Sequence, residues 1–422
     1  MGEGIIIKNG LVVDPTSKTQ ETRSIRIKNG KITSESISNA KEFNAEGCIV
    51  MPGWIDLHTH TRDPGFTHKE DLESASKAAI AGGFASIVAM PNTKPVIDNP
   101  SAVDYVLQKS KNLEATVFCA AAITIGQTGE ELVDFAALKN AGVAYFTDDG
   151  NPVQDSKVMR NALEEAKKTG VLLAQHCEDK NAVRGCACVG EGAAKKLGLK
   201  GFPREAEFNC IERDLKLVEE LGAKEHFLHM SLKESVDAIA KAKKKGLRVT
   251  AEATPHHFTL TELELLKKGT NAKMNPPLRE EKDAKAVLDG LKKGVFDVIG
   301  TDHAPHTAEE KVQGWEKAPN GIVGLETAVG LCITHLIETK ILSWVQLAEK
   351  TSLNPAKIIN CESKGSLKPR FDADITIIDP ELEWTVDASK FRSKSRNTPW
   401  DGVTLKGKAV AVVAKGVLYD LR

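Results

Sequence analysis

Gly53-Trp54-Ile55-Asp56-Leu57-His58 is a short apolar run that ends in a polar residue, with Thr59-His60 just beyond it. Runs of this length read as buried strands. Seven more follow at fairly regular intervals: Ala85–Pro91, Ala115–Ala122, Val143–Asp148, Val171–His176, His226–Met230, Leu247–Ala253 and Phe296–Thr301. Between them lie helix-like stretches at Glu70–Ala81, Ala102–Ser110, Glu130–Asn140, Ser156–Thr169, Glu207–Leu221, Leu232–Lys245 and Glu280–Lys293. Strands alternating with helices predict right-handed crossovers and a parallel sheet. A count near eight favours an α/β fold closed as a TIM-like (β/α)8 barrel over an open doubly wound sheet. No G-x-G-x-x-G fingerprint follows the first strand, which argues against a Rossmann dinucleotide site.

The two ends of the chain have a different texture. Gly4–Val13, Ser24–Ile32 and Glu46–Met51 read as strands joined by Asn-Gly turns at Asn9-Gly10 and Asn29-Gly30, a hairpin signal. Ala373–Ile378, Gly402–Leu405, Ala409–Ala414 and Val417–Tyr419 repeat that all-β pattern. The simplest arrangement joins both ends into one small composite β-sandwich beside the barrel. Residues 1–51 and 366–422 then form the β unit and 52–365 the barrel.

Composition narrows the function classes. The 422 residues include 57 Lys+Arg and 58 Asp+Glu, a net charge of -1, and no basic run gathers along one face. Nucleic-acid binding is therefore not expected. With 41% hydrophobic and 27% charged residues the chain reads as an ordinary globular protein. No apolar run reaches the ~20 residues a membrane span needs. Met1–Gly10 lacks the basic and apolar regions of a secretory signal, so the expected compartment is the cytoplasm. The eight cysteines lack a framework spacing and read as reduced thiols.

The 11 histidines are unevenly placed. His58, His60, His176, His229, His256, His303 and His306 fall at or just past the C-terminal ends of expected strands, which form the catalytic face of a β/α barrel. Residues two apart share one side of a strand, so His58 and His60 can reach one metal. An isolated H-x-H is weak evidence. The other strand ends strengthen it: Asp149 follows strand four, His176 ends strand five, His229 ends strand six and Asp302 follows strand eight. Imidazole and carboxylate together suit Zn²⁺ and related divalent ions. Six ligands exceed what one tetrahedral ion uses. Two metals bridged by a carboxylate and a water-derived hydroxide would share them, lowering the pKa of that water and polarising a carbonyl.

These residues resemble the dihydroorotases of the amidohydrolase superfamily, over nearly the whole chain. The resemblance is carried by Pro52–Gly65 (PGWIDLHTHTRDPG), Ala89–Thr93 (AMPNT), Phe146–Gly150 (FTDDG), Gln175–Glu178 (QHCE), Leu228–Ser231 (LHMS), Thr254–His257 (TPHH), Lys273–Arg279 (KMNPPLR) and Gly300–His306 (GTDHAPH). It is closest to the bacterial, class I type enzymes with an aspartate-bridged metal centre. It implies that His58, His60 and Asp302 hold one zinc ion, that His176 and His229 hold the second, and that Asp149 bridges them. Hydantoinases and many other superfamily members bridge with a carboxylated lysine, and strand four carries none here. Sequence physics alone does not separate Asp149 from Asp148; the resemblance assigns Asp149.

The reaction implied is the reversible cyclisation of N-carbamoyl-L-aspartate to (S)-dihydroorotate and water, a step of pyrimidine (UMP) biosynthesis. In hydrolysis the bridging hydroxide attacks the ring amide carbonyl, and Asp302 takes its proton and delivers it to the leaving nitrogen. Arg62, Asn92 and His306 are implied to grip the substrate carboxylate, with His60 beside them, and Asn275 and the backbone of Asn320-Gly321 to meet the ring. Taken singly, Arg62 could instead pair with Asp63, Asn92 cap its loop, and His306 merely support the site. A homodimer and association with aspartate transcarbamoylase are the family's expectations for partners.

Two other readings compete. One is a hydantoinase-like or allantoinase-like cyclic amidase; the other is a non-catalytic homologue that scaffolds aspartate transcarbamoylase, which loss of ligands usually betrays. Thr59 and Thr61 occupy positions commonly apolar in the family, and Asn320 stands where a larger apolar residue is expected. These departures bear on pocket shape and not on the ligand set. His68, His226, His335, His256 and His257 receive no chemical role.

Overall fold

The computed structural model describes residues 4–422, so residues 1–3 of the expected N-terminal β segment lie outside the described residues. Its centre is a closed ring of parallel staves. Trp54–Thr59, Phe84–Ala89 and Thr116–Cys119 pair in parallel, as do Leu173–Gln175, Lys224–Phe227, Arg248–Ala253 and Val298–Ile299. Phe146 bridges Ala121 on one side and Leu173 on the other, and His303 bridges back to Thr59, which closes the circle. The barrel interior is filled rather than hollow: Ile55, Leu57, Val88, Met90, Tyr145, Ala174, Leu228 and Val298 form one buried cluster.

The fourth stave is shorter than its apolar run suggests. Only Phe146 makes a bridge. The chain turns into it at Gly142, φ 98°, and leaves it because the Asp148 carboxylate is taken by the Ile123 and Thr124 amides.

The first stave departs from simple alternation in a way that shapes the site. Ile55 and Leu57 point into the barrel, which would send His58 outward, but the register with the second stave shifts between Asp56 and Thr59. Buried Asp56 organises this irregularity. Its carboxylate accepts from Thr59 Oγ1 and Thr301 Oγ1 at 2.6 Å each and from the Thr301 amide at 2.9 Å. Such bulges re-aim side chains next to active sites.

The chain ends build two further sheets. Val417–Asp420, Thr404–Ala414, Ile375–Thr385, Ile49–Pro52, Leu11–Asp14 and Thr19–Thr22 form one of six strands, in that order. Lys31–Thr33, Ile25–Lys28, Ile5–Lys8 and Lys41–Asn44 form one of four. Ile7, Ile25, Ile27, Phe43, Val50, Ile375, Ile377 and Val413 make the core between them. The alternate residues Ile378, Val412 and Ala414 join the large core around the barrel. The fold is thus a β/α barrel with a composite β-sandwich.

The Asn29-Gly30 turn joins the antiparallel pair Ile25–Lys28 and Lys31–Thr33, with both residues at positive φ. Asn9-Gly10 corrects the other hairpin expectation. Ile5–Lys8 and Leu11–Asp14 do not pair with each other but enter different sheets. A Cβ on Gly10 would stand 2.5 Å from Val50 Cγ2, so glycine serves a close crossing there.

Among the described residues no helix is long and apolar enough to cross a membrane, and all eight cysteines are free thiols. Helices Glu205–Leu221 and Lys233–Lys244 cover the staves that end at His176 and His229. The second has no side-chain cap of its own. Fully buried Glu207 substitutes for one from the neighbouring helix, accepting from the Ser231 and Leu232 amides at 3.0 and 3.2 Å and from Ser235 Oγ at 2.6 Å. Glu207→Ala strands these donors and is expected to lower the unfolding free energy by about 3 kcal/mol, read from the urea midpoint; a change below about 0.5 kcal/mol contradicts this account.

Candidate metal centre and substrate pocket

Asp149 lies at the centre of the barrel mouth, 3% exposed. Its Oδ1 is 3.6 Å from His58 Nε2, 3.3 Å from His176 Nδ1 and 3.5 Å from His229 Nε2, and its Oδ2 is 3.4 Å from His60 Nε2. Asp302 Oδ1 adds a second carboxylate, 3.2 Å from His60 Nε2 and 3.4 Å from His58 Nε2. The donor atoms fall into two groups that share Asp149: His58 and His60 in one, His176 and His229 in the other. All six residues singled out from the sequence as metal ligands therefore come together.

The pair Asp148-Asp149 is separated by geometry. Asp148 is consumed by Ile123 and Thr124, and burial pushes its carboxyl up to about 6. Asp149 faces the imidazoles. Burial opposes its charge too, but His58 and the hydrogen bonds from His176 and His229 hold it well below the usual carboxylate range.

The set fits divalent cations. His58 Nε2 is fully buried with no hydrogen-bond partner, although it points at two carboxylates. Three of the four opposite ring nitrogens are held as metal-ligating imidazoles require. His58 Nδ1 meets Glu252 Oε1 at 3.2 Å, His60 Nδ1 meets Asn92 Oδ1 at 2.9 Å, and His176 Nε2 meets Glu178 Oε2 at 3.0 Å. Burial depresses the basicity of His176, yet Asp149 and Glu178 outweigh it and raise its pKa to about 9. Arg62, His229 and Asp302 all sit at positive φ, 58°, 33° and 48°. Strain of this kind in non-glycine residues costs about 1–3 kcal/mol each and persists where surrounding structure imposes it.

Beside this centre lies a cavity of about 260 Å³, lined by His60, Arg62, Asn92, Asn275, Asp302, His306, Asn320 and Gly321. Every residue expected to meet substrate is among them. Arg62 does not pair with Asp63, which is taken by Lys109 at 2.7 Å and Tyr105 at 2.9 Å. Its guanidinium instead donates to Pro305 O and meets His306 Nε2 at 3.1 Å. His306 is kept neutral by burial and by Arg62 and Lys69. Asn275 Oδ1 and Asn320 Oδ1 are buried acceptors without a partner. Thr59 is spent on Asp56, outside the cavity lining, whereas Asn320 contributes to it.

Several contributors were not singled out from the sequence. Glu252 and Glu178 orient His58 and His176, Asp56 sets the first stave, and Lys180, 2.8 Å from Glu178 Oε1, lines the cavity. Glu252 offered a signal, a carboxylate inside a buried strand. His226, His256 and His257 stay outside the ligand groups; His226 Nδ1 meets Thr250 Oγ1 at 2.7 Å.

Comparison with known proteins follows the same lines. A family described as dihydro-orotase-like matches residues 47–235. A dihydroorotase of Clostridioides difficile is 46% identical over 99% of this chain and 100% of its own length, and one of Aquifex aeolicus is 45% identical over 98% of each. In three dimensions an L-hydantoinase of Arthrobacter aurescens superposes with a TM-score of 0.89 at 26% identity, covering 99% of this chain and 96% of that one. By full-length identity to these relatives, the chain belongs to the dihydroorotase family.

Proposed function

We propose that the chain is a dihydroorotase, a metal-dependent cyclic amidohydrolase that interconverts N-carbamoyl-L-aspartate and (S)-dihydroorotate plus water in pyrimidine biosynthesis. The observation that carries this reading is the aspartate-centred ligand set beside an arginine, Arg62, that has no carboxylate partner among the described residues. His58, His60 and Asp302 would hold one zinc ion, His176 and His229 the other, and Asp149 both. When bound, the ions supply a water acidified towards neutrality and a Lewis acid for the amide carbonyl.

The chain's own residues do the rest. Arg62, Asn92 and His306 grip the substrate carboxylate: the guanidinium donates in a planar fork, and His60, which meets Asn92 Oδ1, turns Asn92 Nδ2 towards the cavity, where its contacts with Asp149 are long, 3.4 Å. The Asn275 and Asn320 side-chain oxygens accept from ring N–H groups, and the Asn320-Gly321 backbone closes that side. Asp302 is the general acid/base. Burial opposes its ionisation, but His58 and His60 hold it well below the ordinary range, so it is an ionised base at neutral pH. In hydrolysis it takes the proton of the attacking water and passes it to the departing ring nitrogen; cyclisation begins with Asp302 accepting the amide proton.

A hydantoinase-like or allantoinase-like activity is the alternative. The aspartate bridge and the Arg62–Asn92 pair favour dihydroorotate. The assembled ligand set opposes a purely scaffolding role. The same reading divides the chain at 1–51, 52–365 and 366–422, places it in the cytoplasm, and extends to a homodimer and to association with aspartate transcarbamoylase, on family grounds.

A substrate panel tests the function: dihydroorotate should be turned over in preference to hydantoin and allantoin, and Asp302→Ala should lose about 10³-fold in kcat. Preferential turnover of hydantoin or allantoin would sink the proposal. Metal loading should depend on pH. His58 and His176 must both be neutral to bind metal, and the neighbouring carboxylates outweigh burial and hold both above the ordinary imidazole range, His176 at about 9, so zinc affinity should rise from pH 7 to 9. Competition titrations with a chelator of known pH dependence measure this; a flat profile contradicts it.

A further inference from the structure

Behind the pocket wall stands a lysine that the proposed chemistry leaves unused. Lys311 ends the short helix Ala308–Lys311, five residues after His306, and is 2% exposed. No carboxylate pairs with it among the described residues. Its ammonium donates instead to three backbone carbonyls, Lys273 O at 3.2 Å, Pro319 O at 2.9 Å and Gly321 O at 3.0 Å. Three N–H donors thus meet three acceptors from two separate segments.

Both segments face the substrate cavity. Lys273 leads into Asn275, and Pro319 and Gly321 flank Asn320. The Gly321 amide closes onto Lys273 O at 2.9 Å, and Asn320 O meets His306 Nε2 at 2.9 Å. There is little slack: Gly321 has φ 130°, and a Cβ there would stand 2.6 Å from Ala304 Cβ. Burying an ammonium without a counter-charge is costly, and burial draws Lys311 down to about 7. Neutral donors would close these loops at lower cost. In its protonated form Lys311 also adds positive potential behind Arg62 and His306, where an anionic substrate is expected.

We propose that Lys311 is a positioning residue for substrate recognition, gathering the 273–275 and 319–321 segments so that Asn275 and Asn320-Gly321 meet the substrate. The proposal rests on the dihydroorotase reading. It is tested by steady-state kinetics of zinc-loaded, full-length Lys311→Met beside wild type, with dihydroorotate and with N-carbamoyl-L-aspartate, and with metal content measured on the same samples. KM should rise by about 10-fold or more for both substrates while kcat stays within about 3-fold and metal content is unchanged. Lys311→Gln keeps two N–H donors at shorter reach and should recover part of the lost affinity. Unchanged KM overturns the proposal, as does a fall in kcat together with metal loss. If Lys311→Met does not fold, the same KM and kcat comparison on Lys311→Gln decides; failure of both to fold assigns the lysine to stability alone and also overturns it. A wild type inert towards dihydroorotate would refute the functional reading instead.

Discussion

Four imidazoles converge on one carboxylate buried in the barrel mouth, and the rest of the structure is arranged around that convergence. Asp149 has a ring nitrogen from each of His58, His60, His176 and His229 within 3.3–3.6 Å. At the long end of hydrogen bonding, these spacings also suit donor atoms that share an ion. Glu252, Asn92 and Glu178 fix three of the four rings from behind, whereas His229 Nδ1 has no hydrogen-bond partner among the described residues. The positive φ at Arg62, His229 and Asp302 is the backbone cost of the same convergence. A closed barrel can bear it, because each stave is hydrogen-bonded on both sides.

The composite sandwich takes part in the site. Asn397, in the C-terminal segment, accepts from the His306 amide at 3.1 Å and donates to Ala304 O and Gly321 O at 3.1 and 3.0 Å. Ser393 and the Lys394 amide donate to Glu70, which also meets His303 Nε2 at 3.3 Å. The residue before that histidine is Asp302. Chain that leaves the barrel to complete the sandwich thus returns to brace both the pocket wall and the eighth strand end.

Much of this is legible in the sequence. Apolar runs alternating with helical stretches report the barrel, because buried parallel strands need apolar residues on both faces. Histidine and aspartate at successive run ends report the mouth. What escaped the sequence depended on partners far apart in it. Asp148 and Asp149 are chemically identical neighbours, told apart by distant partners: Ile123 and Thr124 take the first and the four imidazoles surround the second. The Asn9-Gly10 signal describes a local turn, whereas the choice between pairing back and changing sheets lies with Ala45 and Val50, which crowd Gly10. Glu252 touches His58 across 194 positions, and no periodicity carries that information. Lys311 in a four-residue helix looks like any surface lysine until its three carbonyl partners are seen.

The central claim is that Asp149 bridges two ions. Anomalous diffraction recorded on either side of the zinc absorption edge, from crystals grown with zinc, tests it most directly. The account predicts two peaks flanking the Asp149 carboxylate, one beside His58, His60 and Asp302 and the other beside His176 and His229. A single peak, or none, in protein from the same preparation that turns over dihydroorotate would contradict it.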